Sequence, residues 1–440
     1  MSKTNSTSSL ADSLYEKLAD EEDARVCRDI PDSACRVVPR NFFLLIGASI
    51  LTKLGDALSN PKTVLAWLLE YLHAPLFLIG LLVPIRESGS MLPQLIIAGY
   101  IRRLAVRKWV WVIGSLVQAL AIMAIGVSAW LLTGTSAGWT IIGLLVIFSL
   151  GRGLCSVAHK DVIGKTIPKT RRGLQTGVSA SIAGGLGMLI GLGFLFFGEP
   201  ADSALFYAVL FLVTGGLWLL AAAVFAGVAE NPGASAGGSN ALTEAIERMG
   251  LLVSDRDFRR FVITRALLLC SALTAPYLIV LAQDSHRGEL ALLGMFIVAS
   301  GLADNISAPI WGKLADRSSR QVMILAAIVT GLLGITVFII ATWLPDIHAH
   351  RWTYPCLFLI LGIAHSGVRL GRKTYIVDLA SGNKRTDYVA VSNTVIGLLL
   401  LILGAGGALL AGDSAAVVVL LFSLLGLAGA VCARQLPEVQ

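Results

Sequence analysis

Arg152, Ser156, His159 and Lys160 follow one another at spacings of four, three and one residues, and His365, Arg369, Arg372 and Lys373 repeat those spacings. At 3.6 residues per turn, each set lies along one face of a helix. Such a face offers guanidinium, imidazole and ammonium groups together. Arg grips a carboxylate or phosphate with a planar fork of donors, and Lys adds a mobile point charge, so two such faces form a wall suited to an anion. Lys53 and Arg86 add further cations away from the chain ends. Asp56, Glu87 and Asp304 stand in equally apolar surroundings, and their proton occupancy would respond to burial and to neighbouring cations. They are the expected coupling groups, with His159 and His365 as relays. Two bland readings compete: Lys53 and Asp56, at i and i+3, could pair with each other, and Arg372 and Lys373 could snorkel to a membrane surface.

These charges sit in a chain of 440 residues that is 55% hydrophobic and 14% charged, with a mean hydropathy of +0.76. Soluble proteins carry about 25% charged residues, so the solvent for most of this chain is lipid. An ionised group at mid-bilayer costs at least ~2.5 kcal/mol and therefore faces a cavity or a partner. A span needs about 20 apolar residues, and that ruler finds twelve segments. They run over 41–70, 75–100, 109–133, 139–163, 174–197, 204–228, 261–283, 290–311, 321–344, 353–379, 387–411 and 414–433. Asn60-Pro61 should kink the first, because proline removes a helical hydrogen bond.

The segments between spans set orientation. With the amino terminus inside, the inner connections hold 17 Lys and Arg, and the outer ones hold only Arg287 and Arg351. That asymmetry places both termini in the cytoplasm of an inner, plasma-membrane protein. The first 40 residues carry Lys3, Lys17, Asp20, Glu21, Glu22, Asp23 and Arg25, which leaves no stretch resembling a signal peptide. The expected organisation is a tail over 1–40, a six-helix bundle over 41–228, a central loop over 229–260, a second bundle over 261–434 and a short tail over 435–440. The loop opens on Asn231-Pro-Gly-Ala-Ser-Ala-Gly-Gly-Ser-Asn240, and a surface helix is expected over Ala241 to Phe258, with Glu244, Glu247 and Arg248 outward. Six scattered cysteines show neither metal spacing nor a disulfide framework.

The two halves are copies. Gly99-Tyr-Ile-Arg-Arg-Leu-Ala-Val-Arg107 returns 213 residues later as Gly312-Lys-Leu-Ala-Asp-Arg-Ser-Ser-Arg320, and the same offset carries Arg152 to His365 and Lys160 to Lys373. Internal repetition in an apolar chain is the mark of a transporter. The second loop resembles the Gly-x-Leu-Ala-Asp-Arg-x-Gly-Arg-Arg signature of the major facilitator superfamily. Leu54-Gly55-Asp56, Arg152 and Pro168 to Gly173 also sit where members of that family have Gly-Asp, Arg and Pro-x-x-Arg elements. The resemblance implies an all-α membrane fold of twelve helices in two pseudo-symmetric bundles. It also implies that helices one, four, seven and ten surround a cavity, and that Gly312, Asp316, Arg317 and Arg320 form a conformational latch. Arg103 replaces the signature Asp in the first copy, which implies a latch in the second copy alone.

The expectation is therefore a secondary active transporter of a small carboxylated or phosphorylated anion, working by alternating access and coupled to protons. Its partners are that anion, protons and the bilayer, with no cofactor, no metal and no nucleic acid, and the protein is taken as a monomer. An efflux pump for lipophilic or cationic compounds and an anionic-lipid flippase are the rivals within transport. A non-transporting membrane sensor is the rival outside it. Zinc-binding His-Glu-x-x-His, Gly-x-Ser-x-Gly and Walker motifs are absent from the sequence, so an enzyme is not expected. Gly184, Gly185, Gly187, Gly191 and Gly193, and later Gly404, Gly406 and Gly407, mark helices whose backbones approach or slide.

Overall fold

The computed structural model describes residue 35 and residues 37–439, apart from 102, 199–202, 234, 236–248, 285, 287, 288, 380–383 and 411–413. The expected acidic surface of the central-loop helix, Glu244 to Arg248, and the outer Arg287 lie outside the described residues. So do Lys3, Lys17, Asp20, Glu21, Glu22, Asp23 and Arg25 of the amino-terminal tail.

Span 1 is broken where Asn60-Pro61 predicts. It runs as Val38–Leu58 and Val64–Tyr71, and in the break the Asn60 side chain accepts a hydrogen bond from the Lys62 backbone N–H at 2.8 Å. That local bond competes with helix formation, and Pro61 supplies no N–H to restore it. Span 2 comes in two pieces, Leu76–Met91 and Gln94–Ile101, with Pro93 between them. Spans 3 to 6 are Lys108–Leu131, Gly134–Thr166, Lys169–Phe197 and Ala204–Ala226.

Span 7 starts at Arg256, because the Asp255 side chain caps the backbone N–H groups of Asp257 and Phe258. Phe258 therefore belongs to the buried first turn of this span rather than to a surface helix; before it only the turn Leu251–Ser254 is helical among the described residues. Span 7 is broken like span 1, into Arg256–Leu267, Cys270–Leu273 and Ala275–Gln283. Spans 8 to 12 are Leu290–Ala315, Ser319–Trp343, Thr353–Leu379, Lys384–Leu410 and Ala415–Arg434. Ten of the twelve are long and apolar enough to cross a membrane on those grounds alone. The second falls short because Pro93 divides it, and the eleventh contributes the shorter apolar stretch Val391–Gly407 among the described residues. Leu120, Leu189 and Phe197 face outward where lipid would lie.

Packing repeats between the halves: span 3 lies against spans 4 and 6, and span 9 against spans 10 and 12. Across the halves, span 2 packs on span 11 and span 5 on span 8. The core is distributed unequally between the two membrane faces. One cluster, from Val64–Val83 through Leu269–Ala282 and Leu290–Ile297, is shared by both halves. On the face carrying the basic loops, the first half has its own cluster around Phe42, Trp111 and Phe225, and the second has another around Phe261, Met323 and Tyr375. The halves are thus joined at one face and separate at the basic face.

The joint is close. A Cβ on Gly404 would lie 2.1 Å from Pro84 Cγ, and one on Gly294 would lie 2.5 Å from the Gly191 carbonyl oxygen. Ser88 donates to the Gly397 carbonyl at 2.6 Å, and Gln283 to the Trp67 carbonyl at 3.2 Å, both across the halves. Gly191, Gly404 and Gly407 are therefore packing glycines, whereas Gly184, Gly185, Gly193 and Gly406 adjoin open space. Cys155, Cys270, Cys356 and Cys432 are free thiols, but Cys35 is disulfide-bonded, a constraint that the scattered cysteine spacing does not reveal.

Candidate functional site

Below the joint, where the cores part, lies a cavity of about 650 Å³. Four elements supply its walls. Span 1 presents Lys53, Asp56 and Asn60; span 5 presents Gly184, Gly187 and Met188; span 8 presents Ser300, Gly301, Asp304 and Asn305; and span 10 presents Arg369. The spacings 53, 56, 60 and 300, 301, 304, 305 each trace one helical face, and the small residues of span 5 leave room between them.

One carboxylate organises the first half. Asp56 accepts from Arg86 at 2.6 Å, and Arg152 reaches both of its oxygens at 2.6 Å. Arg86, whose side chain is 7% exposed, also lies over the Phe148 ring, 4.5 Å from its centre. The expected Lys53–Asp56 pair is not formed, because two guanidiniums occupy the carboxylate first. The Glu87 carboxylate has no hydrogen-bond or ion-pair partner among the described residues, although it lies within electrostatic range of Lys62 and Arg372.

The second half is held differently. Asp304 accepts from Arg369 at 3.1 Å and from Ser366 at 3.4 Å, and its side chain remains 66% exposed. His365 stands between the halves, with Nε2 3.0 Å from Lys62 Nζ and Nδ1 3.0 Å from Ser271 Oγ. Buried Arg265 donates to Ser392 Oγ at 2.6 Å and Asn393 Oδ1 at 2.8 Å, which are neutral acceptors that leave its charge uncompensated.

The two predicted basic faces are only partly joined. Arg152, His365 and Arg369 reach the centre. Lys160 and Lys373 are exposed further toward the basic face, in electrostatic range of each other, and Arg372 lies between Lys373 and the centre. Ser156 is half-buried and lines neither cavity. His159 turns away, packed with ring centres 6.4 Å from Trp111 and 6.0 Å from Phe225. Trp111 of span 3 and Phe225 of span 6 close over His159 near the basic-loop end of the Gly134–Thr166 helix, whereas Arg152, further along the same helix, still meets Asp56.

The loops expected to latch make their contacts within each half. Arg320 bonds to Glu438 at 2.8 Å and to the Leu436 carbonyl at 2.9 Å, tying the loop to the carboxyl-terminal segment. Asp316 and Arg317 are exposed, and Gly312 adjoins open space. The first copy holds as firmly: Glu230, wholly buried, accepts from the backbones of Arg107 and Lys108 and from Lys165 Nζ at 2.8 Å, while Arg107 pairs with Asp161 at 2.9 Å. In the first copy, where Arg103 replaces the signature Asp, the acceptor that binds the loop comes instead from Glu230.

Lys62, Ser271, Arg265, Glu230 and Glu438 all escaped sequence reading. A signal existed for the two glutamates, since 230 and 438 each lie four residues beyond the last helical residue of their half, Ala226 and Arg434. Lys62 was hidden by the break that positions it.

Several known proteins share this architecture. The D-xylose–proton symporter superposes with a TM-score of 0.66 at 13% identity, covering 91% of this chain and 98% of that one. The nucleoside transporter NupG does so with a TM-score of 0.66 at 14% identity, over 89% and 98%. In sequence, an uncharacterized MFS-type transporter of Methanocaldococcus jannaschii is 24% identical over 380 residues, 83% of this chain and 87% of the relative. An uncharacterized protein of Mycobacterium tuberculosis is 24% identical over 351 residues, and the match spans 77% of this chain and 64% of that relative. The sequence pattern described as Major Facilitator Superfamily matches residues 45–405. With two six-span halves closed over a central charged cavity, this chain is a multi-pass membrane transporter that belongs to the Major Facilitator Superfamily.

Proposed function

We propose that this transporter moves a small carboxylated or phosphorylated organic anion by alternating access, coupled to protons, with the basic face in the cytoplasm. One observation carries the reading: among the described residues, the two connected cavities are lined by Lys53, Lys62 and Arg369 against Asp56 and Asp304, with Arg86, Arg152, Arg265 and Arg372 and the single carboxylate Glu87 in electrostatic range behind them. An excess of cations at mid-membrane is expensive unless a transported anion completes the balance. Lys160 and Lys373 extend the excess toward the basic face and draw an anion along the opening. Lys53, Arg369 and Arg372 are the proposed substrate contacts. Asp56, held by two guanidiniums, serves as a structural counter-ion, while Glu87 and the exposed Asp304, which shares Arg369 with the substrate, are the carboxylates that respond to substrate.

Purified protein in liposomes, given a panel of radiolabelled carboxylates and phosphorylated metabolites, tests this directly. Uptake of at least one anion is expected, faster with an inward proton gradient and reduced in Arg369→Gln. Transport of cations alone, or uptake indifferent to the gradient, would sink the reading.

A further inference from the structure

His365 lies where span 10 passes the breaks of both span 1 and span 7. Its two ring nitrogens bond to a different half each, Nε2 to Lys62 and Nδ1 to Ser271. The proton positions follow by elimination. Ser271 has one hydroxyl hydrogen, and it goes to the Leu268 carbonyl at 3.0 Å. Ser271 can then only accept, so Nδ1 carries the imidazole hydrogen and Nε2 presents its lone pair to the Lys62 ammonium. A neutral imidazole in one defined tautomer thus connects Lys62 of the first half to the second. The same groups line a chamber of about 110 Å³ together with Ser366, Asp304 and Arg369, and this chamber shares Asn60, Ser300, Asp304 and Arg369 with the main cavity.

We propose that His365 Nε2 is the coupling proton site, and that loading it turns this chamber into a receptor for one carboxylate or phosphate group. The inference rests on the anion reading above and names the group that would couple it. A proton arriving at Nε2 occupies the lone pair that Lys62 uses. The proton, delivered from solvent, forms the Nε2–H bond, the Lys62–His365 hydrogen bond is lost, and the imidazolium and ammonium become two separate donors beside Arg369. Burial, which opposes a charge on the ring, and the surrounding charges together decide when this happens. Lys62 from span 1, Arg369 and Arg372 from span 10 and, behind Arg372, Arg265 from span 7 oppose a second charge; Glu87 from span 2 and Asp304 from span 8 favour it. The cations outnumber the carboxylates, so the imidazolium persists when an anion is in the chamber. By linkage, proton and anion then strengthen each other's binding by one common factor. Conformation follows, because the neutral state seen here ties the halves beneath the closed joint, and its loss removes one of the hydrogen bonds across the halves, which also include Gln283–Trp67 and Ser88–Gly397.

The test is ¹⁵N-histidine NMR of the full chain in lipid nanodiscs, titrated with acid in the absence and presence of inorganic phosphate or acetate. The His365 signals are those missing from His365→Gln; should that variant fail to fold, Ser271→Ala retains the imidazole and must shift the same signals. At alkaline pH, Nδ1 is expected to be protonated and Nε2 bare. On acidification Nε2 gains the proton, and one of the two anions moves that midpoint upward by about one pH unit, a tenfold linkage. An alkaline tautomer with hydrogen on Nε2, or a midpoint unmoved by both anions, would overturn the inference. Transport keeps the two readings distinct. Gradient-driven anion uptake that survives in His365→Gln removes His365 as the coupling site and leaves the anion reading intact, whereas an intact titration without anion uptake does the reverse.

Discussion

Replacing Asp56 with Asn isolates the charge cluster that holds span 1 to spans 2 and 4. Three hydrogen bonds of 2.6 Å converge on this carboxylate, from Arg86 and Arg152. The gross attraction of one such pair is about 6 kcal/mol at an effective dielectric constant of about 20, much of it offset by desolvation of the charges. Net stability is better judged from what is left behind. The Asp56→Asn change would leave Arg86 buried at 7% side-chain exposure with no counter-ion, whereas Arg152, at 38%, can turn toward water. Stranding one buried cation costs about 3–5 kcal/mol. Thermal unfolding followed by intrinsic fluorescence in nanodiscs should therefore show a melting temperature lower by several degrees in Asp56→Asn. The decisive comparison is Asp56→Asn with Arg86→Met, which removes the stranded charge as well. Recovery of most of the lost stability is expected in the double variant. Equal melting temperatures for the single variant and the wild type, or a double variant less stable than the single, would refute this assignment of the cost to a buried guanidinium.

Two further substitutions probe the joint and the loops. Gly404→Val places side-chain atoms where Pro84 already sits, 2.1 Å from an added Cβ, so the closed joint must loosen; hydrogen exchange over residues 64–72 should accelerate by about tenfold or more, a change of ~1.4 kcal/mol, and unchanged protection would contradict the packing. Glu230→Gln removes the charge that three donors share in a wholly buried position, at a cost of about 1.5–3 kcal/mol for each charge-assisted bond weakened. Limited proteolysis should then cut faster after Lys108 and Lys165, and a digestion rate equal to the wild type would show that Glu230 does not bind these loops together.

Composition and periodicity alone settle the solvent, the repeat and the approximate spans, because a membrane demands helices of a certain length whatever their neighbours. The break at Asn60-Pro61 was legible for the same reason: a missing N–H and a competing side-chain acceptor act within a few residues. Of the two breaks in span 7, the one before Ala275 had the same signal, Pro276 in the first turn of Ala275–Gln283, whereas the one between Leu267 and Cys270 holds no proline to mark it.

Partner choice among the charges was likewise beyond a linear reading. Spacing offered Lys53 to Asp56, but folding brought Arg86 and Arg152 closer, from 30 and 96 residues away, and a carboxylate bonds to whichever donors reach it in the correct geometry. Rings from spans 3 and 6 packed over His159, while its repeat-mate position, Arg372, lies in electrostatic range of His365. Lys62 and His365, 303 residues apart, meet only because the break in span 1 brings Lys62 against span 10. Local sequence determines which groups the membrane must hide, since the cost of a charge in lipid is a property of the residue; only tertiary structure decides which partner hides each one, since that depends on distances no spacing along the chain can specify.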